Sequence, residues 1–87
     1  MACSVYILQS DTSGRFYVGS AEDVSERVRE HNAGVSQYTR HRGSWRLVYS
    51  RAFASRSEAM KREYEIKSMK SRKYIEDLIG KSSIPGA

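Results

Sequence analysis

The chain has 87 residues, with 15 Lys and Arg against 10 Asp and Glu, which gives a net charge of +5 and a sequence pI near 9.6. A chain of this length predicts one small domain with one core, and its positive charge suits a polyanionic partner such as nucleic acid. No stretch approaches the roughly 18 apolar residues of a membrane span and no signal-peptide layout is present, so we expect a cytoplasmic protein without a membrane partner.

The first third of the sequence predicts a hairpin. SVYILQS, residues 4–10, is apolar at alternate positions on both faces, which is typical of a strand covered on both sides. Residues 11–14 (DTSG) have turn composition, and RFYVGS resumes with the β-favouring residues Phe16, Tyr17 and Val18. Cys3 is the only cysteine, so it has no partner for an intramolecular disulfide and is expected to be a small buried apolar residue.

The length of the turn sets which tyrosines meet. If the turn is residues 11–14, Tyr6 lies opposite Gly19 and diagonally beside Tyr17, at about 7–8 Å. A turn that is one residue longer or shorter would separate the two tyrosines.

Capping signatures predict two of the helices. Asp23 with Glu26 three positions later opens a first helix over about residues 23–33, and Gly34 ends it. WRLVYSRAF, residues 45–53, reads as a third strand, in which Trp45 is expected to pack rather than to stack on a base. The next capping pattern, residues 55–58, opens a second helix that runs to about Lys70.

The C-terminal part predicts one more helix and then a tail. Ser71 can cap a last helix with an apolar stripe, closed by Gly80. Together the elements predict a small single α+β domain over residues 1–80, with the order β-β-α-β-α-α and a three-stranded, mostly antiparallel sheet flanked by helices. Residues 81–87 are expected to form a flexible tail.

Three polar residues interrupt the apolar stripes of the predicted helices. Arg27 and His31 share a stripe with apolar neighbours on the first helix, and Glu63 lies within the stripe of the second. Each has an ordinary explanation: Arg27 can lay its stem along the sheet, His31 can hydrogen-bond locally, and Glu63 can pair with Lys67 at i+4. Together with two inward tyrosines, however, they indicate a wet cleft with a charged occupant, because buried polar groups are costly unless satisfied.

The tyrosines and the three polar residues also match the motifs of a known protein family. Val5-Tyr6-Ile7 and Tyr17-Val18-Gly19, followed by Arg27-x-x-x-His31-Asn32 and by Glu63, resemble the motifs of the GIY-YIG nuclease family in order and spacing. The resemblance covers about residues 3–75. It is closest to the short stand-alone bacterial members, which are related to the nuclease domain of the excision-repair nuclease subunit. Val5 and Val18 depart from the pattern conservatively, and Ser20 stands where many members place a lysine.

The resemblance implies a metal-dependent endonuclease that hydrolyses DNA phosphodiester bonds. Glu63 would bind one Mg²⁺ or Mn²⁺, weakly in the absence of nucleic acid because one carboxylate is a poor site alone. Arg27 would hold the scissile phosphate. Tyr17, Tyr6 and His31 are the candidates for the base; an ordinary pKa near 6.5 favours histidine, whereas the family pattern favours a tyrosine.

Further residues are expected to contact nucleic acid, through the family pattern or through basic and aromatic composition: Gly19, Ser20, Asn32, Tyr38, Thr39, Arg40, Lys67 and Lys70. DNA is the expected partner, with RNA left open, and the sequence does not decide between a monomer and a weak dimer. Two other functions remain open at this point: a module on the same fold that binds nucleic acid without cutting it, and a small basic adaptor for an acidic protein.

Overall fold

The computed structural model describes residues 2–34 and 44–81. Within these ranges the chain forms β1 (Cys3–Ser10), β2 (Phe16–Ala21), α1 (Val24–Asn32), β3 (Trp45–Phe53), α2 (Arg56–Met69) and α3 (Arg72–Lys81). The strands make one antiparallel sheet in the order β2-β1-β3, so β1 is central and β2 lies at an edge. The predicted α+β fold and its element order are confirmed.

The hairpin turn has the length that the sequence predicted. The Ser10 amide donates to the Arg15 carbonyl at 2.9 Å, which leaves residues 11–14 in the turn. Gly14 adopts φ +74, a left-handed conformation that glycine accepts without steric cost. The resulting register places Tyr6 opposite Gly19, as predicted.

Helices cover both faces of the sheet. One core cluster joins residues of β1 and β2 to α2, with α3 packed against it; its buried members include Val5, Ile7, Val18, Ala59 and Ile66. The other cluster lies against α1 and contains Tyr6, Leu8 and Trp45. The alternation in β1 therefore predicted the two faces correctly, and Cys3 and Trp45 are buried as expected, at 3% and 2% exposure.

The predicted caps fix the starts of α1 and α2. Asp23 Oδ1 accepts from the Glu26 amide at 3.0 Å, and the Ser55 side chain accepts from the Glu58 amide at 3.2 Å. Gly34 follows α1 with φ +82, as the sequence predicted. Each helix therefore begins at a fixed point relative to the strand before it.

The end of α3 differs from the prediction. Gly80 lies inside the helix, which continues through Lys81, so Gly80 does not close it. Residues 82–87, most of the predicted tail, lie outside the described residues. In the part of the chain that the structure describes, none of the helices has the length and apolar character needed to cross a membrane.

Candidate active site

The site begins with a close approach between Tyr6 and Gly19. A Cβ atom at position 19 would lie 2.7 Å from Tyr6 Oη and 2.8 Å from Tyr6 Cζ, so no side chain fits there without displacing the ring. The missing side chain lets the Tyr6 phenol extend over β2. Gly19 thus has a steric role that the sequence did not assign to it, while its contact with nucleic acid stays a prediction.

Three rings meet beside this glycine. The Tyr6 and Tyr17 centroids are 6.3 Å apart, and His31 lies 6.1 Å from Tyr6 and 4.6 Å from Tyr17. Tyr6 Oη and His31 Nε2 are hydrogen-bonded at 3.1 Å. Tyr6 is fully buried and His31 is 2% exposed, whereas Tyr17 is only half-buried. Tyr17 is therefore the tyrosine of this cluster that solvent can reach.

Arg27 borders the rings from α1. The interaction of its side chain with the Tyr6 hydroxyl raises the pKa of the guanidinium, and its Nη1 atom donates to Glu30 Oε1 at 2.7 Å. Because the Arg27 side chain is still 41% exposed, these contacts orient the guanidinium without burying it.

Burial sets the protonation of Tyr6 and His31. It raises the pKa of the Tyr6 phenol, and it lowers the pKa of His31, which the positive charge of Arg27 lowers further. At neutral pH Tyr6 is therefore protonated and His31 is uncharged.

Glu63 approaches the same region from α2. Its Oε1 atom accepts a hydrogen bond from Ser20 Oγ at 2.7 Å, and its Oε2 atom accepts from Lys67 Nζ at 2.6 Å. Its negative charge acts on Tyr6 by raising the pKa of the phenol. The carboxylate therefore contacts Ser20 on β2 with one oxygen and pairs with Lys67 through the other, so the ion pair that the sequence offered as an ordinary explanation is present beside an inward contact. Ser20, expected to contact nucleic acid, here positions Glu63.

A polar cleft of about 360 Å³ opens beside these residues. Its lining includes Ser20 and Arg27, together with Glu22 and Arg56. Arg56 was not among the residues predicted from the sequence. It is an exposed arginine at the start of a helix, and that local pattern carries no sign of a site.

The other predicted nucleic-acid contacts are dispersed. Asn32 bonds both backbone groups of Trp45, with its Oδ1 atom accepting from the Trp45 amide at 2.7 Å and its Nδ2 atom donating to the Trp45 carbonyl at 3.0 Å. Lys67 and Lys70 line a more apolar groove of about 670 Å³ between β2, α2 and α3. Tyr38, Thr39 and Arg40 lie outside the described residues.

The donors near Glu63 suit a hard divalent cation. Carboxylate and hydroxyl oxygens are ligands that Mg²⁺ and Mn²⁺ prefer, and these ions keep several waters when a protein offers few ligands. Within residues 2–34 and 44–81, no group of three or more His, Cys, Asp or Glu side chains forms a metal cluster. The Glu63 carboxylate and the Ser20 hydroxyl beside it are oxygen donors of the type that such an ion takes.

Comparison with known proteins gives consistent matches. Residues 2–75 match the model of the GIY-YIG catalytic domain. A UPF0213 protein of Halalkalibacterium halodurans is 46% identical over 70 residues, which are 79% of this chain and 73% of that protein. A UPF0213 protein of Staphylococcus aureus is 44% identical over 72 residues, covering 82% of this chain and 87% of its own length. The solution NMR structure of a UPF0213 protein from Bacillus halodurans superimposes with a TM-score of 0.59 at 43% identity, covering 92% of this chain and 84% of that one.

Proposed function

The chain belongs to the GIY-YIG family of nuclease domains, and from this premise we propose that it is a divalent-metal-dependent endonuclease that hydrolyses phosphodiester bonds in DNA. One observation supports this function most directly. His31 is hydrogen-bonded to the Tyr6 hydroxyl, and the charges of Arg27 and Glu63, which come from two different helices, both act on that same phenol. A module that only binds nucleic acid has no need of an inward carboxylate at this point.

Arg27 is the residue proposed to hold the scissile phosphate. Its guanidinium presents a rigid fork of donors that matches two phosphate oxygens and neutralises the charge that develops as the bond breaks. The Tyr6 and Glu30 contacts fix its direction, and its exposed part faces the cleft. Tyr6 and His31 are then positioning residues, since both are buried and each holds the other in place.

Tyr17 is the proposed base. A water attacks phosphorus while one of its protons passes to the Tyr17 oxygen, and the bond from phosphorus to the leaving oxygen breaks. A phenol in water ionises only near about pH 10, so this role requires nearby positive charge that stabilises the phenolate. The exposure of Tyr17 admits the attacking water.

Glu63 is the proposed metal ligand, with Ser20 fixing the direction of its carboxylate. When bound there, Mg²⁺ or Mn²⁺ would supply positive charge that polarises the phosphate. A single carboxylate holds such an ion weakly, so we expect substrate oxygens to complete its coordination. Lys67 must leave Glu63 Oε2 for that oxygen to become a ligand, and its half-exposed side chain is free to turn away.

The Glu63–Lys67 ion pair also favours a second candidate function, a non-catalytic nucleic-acid-binding module. If the pair is permanent, Glu63 is a structural partner of Lys67 and no metal binds. Incubation of the protein with labelled duplex, branched and single-stranded DNA, with Mg²⁺, Mn²⁺ or EDTA, separates the two. Metal-dependent cutting that Arg27→Ala reduces by about two powers of ten supports the endonuclease. Binding without cutting in every metal condition supports the module.

A further inference from the structure

Within residues 2–34 and 44–81, Arg56 is the cation of the polar cleft without an ion-pair partner. It lines the cleft together with Arg27, Ser20 and Glu22. Arg27 is already engaged by Glu30 and Tyr6. Among the residues that the structure describes, by contrast, no carboxylate forms an ion pair with Arg56, and Glu22 lies in the cleft without reaching it. The positive charge of Arg56 is therefore uncompensated on the side that faces the candidate site.

The position of Arg56 in its helix gives no stability reason for this charge. It is the first residue of α2, directly after the Ser55 cap. The positive end of the helix dipole lies there, so an anion is favoured and a cation is disfavoured at this point. A residue that breaks a local rule without a compensating contact is a candidate for a functional role.

We propose that Arg56 binds a second phosphate of the substrate strand, next to the phosphate that Arg27 holds. This inference rests on the proposed function, because it assigns a further contact to the same nucleic-acid site. The lining of the cleft supplies the recognition chemistry: the guanidinium groups of Arg27 and Arg56, with one carboxylate, Glu22, in the same cleft. A strand that crosses it would neutralise Arg56, which has no ion-pair partner among the described residues.

The test is the salt dependence of binding in EDTA, where no cleavage occurs. The affinities of labelled duplex and single-stranded oligonucleotides are measured by fluorescence anisotropy over a series of KCl concentrations. For a phosphate contact, Arg56→Gln is expected to reduce the slope of log affinity against log salt by about 0.9 on duplex or about 0.7 on single-stranded DNA. The melting temperature of Arg56→Gln should equal or exceed that of the wild type, because the substitution removes a cation from the start of α2.

Arg51→Gln is the matched control. Arg51 is an exposed arginine on β3, the strand at the sheet edge opposite β2, and it does not line the cleft. Arg51→Gln should leave the slope of log affinity against log salt unchanged. A wild-type slope for Arg56→Gln, or an equal fall in both variants, overturns the inference, as does a wild-type protein that binds neither oligonucleotide.

The result is separable from the fate of the proposed function. If Arg56→Gln lowers the slope but the wild type cuts no DNA with any metal, the phosphate contact stands and the catalytic proposal fails. If the wild type cuts DNA and Arg56→Gln retains both its slope and its KM, the phosphate contact fails and the endonuclease stands.

Discussion

The substitution Glu63→Gln separates a metal ligand from a structural ion pair. Glutamine keeps the size of the side chain and an oxygen that can accept from Ser20 Oγ, now 2.7 Å from Glu63. It removes the negative charge that a divalent cation requires. The change therefore affects metal binding strongly and the local packing very little.

The structure sets the size of the stability effect. Glu63 is 21% exposed and Lys67 is 51% exposed, so solvent screens their ion pair and it is worth about 0.2–1 kcal/mol at most. In a domain of this size, 1 kcal/mol corresponds to a shift in Tm of about 4–8 °C. We expect Glu63→Gln to melt no further below wild type than that. Loss of the ligand should reduce cleavage by at least about 100-fold.

Three measurements on one preparation test this expectation: a thermal melt, DNA binding in EDTA and cleavage in Mn²⁺. Binding in EDTA should be unchanged or slightly tighter, since a negative charge is removed from the surface that would face phosphate. Glu65→Gln is the matched control, because Glu65 is an exposed carboxylate on the same helix, outside the cleft and without an ion pair among the described residues. It should leave all three measurements at wild-type values. A much larger fall in Tm, or cleavage at the wild-type rate, would refute the assignment of Glu63 as a metal ligand.

Three more results are expected. Gly19→Ala should displace the Tyr6 ring and destabilise the fold by about 1–3 kcal/mol, measured by denaturant unfolding, because the new Cβ would lie 2.7 Å from Tyr6 Oη. Folding lowers the pKa of His31, so the contribution of His31 to stability is present above about pH 6.5 and is lost as the pH falls. In thermal melts from pH 8 to pH 5, the Tm of His31→Gln should therefore fall less than the Tm of the wild type. Lys67→Met should tighten Mn²⁺ binding about two- to fivefold, measured by calorimetry without DNA, because it removes a cation that competes for Glu63. Lys61→Met makes an equal charge change on another face of α2 and should leave Mn²⁺ binding unchanged.

Local signals predicted the frame of the site. The composition of residues 11–14 fixed the turn length, and with it the register that sets Tyr6 opposite Gly19. Side-chain periodicity then placed His31 and Glu63 on the inner faces of their helices, where the structure has them. These features depend on residues close in sequence or on one strand pairing, which is why the sequence was sufficient.

The sequence did not predict specific side-chain contacts between elements that are far apart in the chain. Ser20 Oγ donates to the Glu63 carboxylate although the two residues are 43 positions apart in the sequence. No local pattern around either residue predicts this contact. Arg56 and Arg27 line the same cleft although they belong to two different helices, α2 and α1. From the sequence, an inward Glu63 and a Glu63–Lys67 ion pair were alternatives. In the structure one carboxylate oxygen, Oε1, contacts Ser20 and the other, Oε2, contacts Lys67.

The double hydrogen bond between Asn32 and Trp45 has a consequence for how this protein could acquire new specificity. It joins the end of α1 directly to the start of β3, so the scaffold fixes the two points between which residues 33–44 run. A flexible connection between two fixed points costs only about 0.6 kcal/mol more for each doubling of its length. Insertions here would leave the rings, Arg27 and Glu63 where they are. The segment is therefore an exchangeable part, in which evolution or a designer can change what is recognised while the chemistry stays the same.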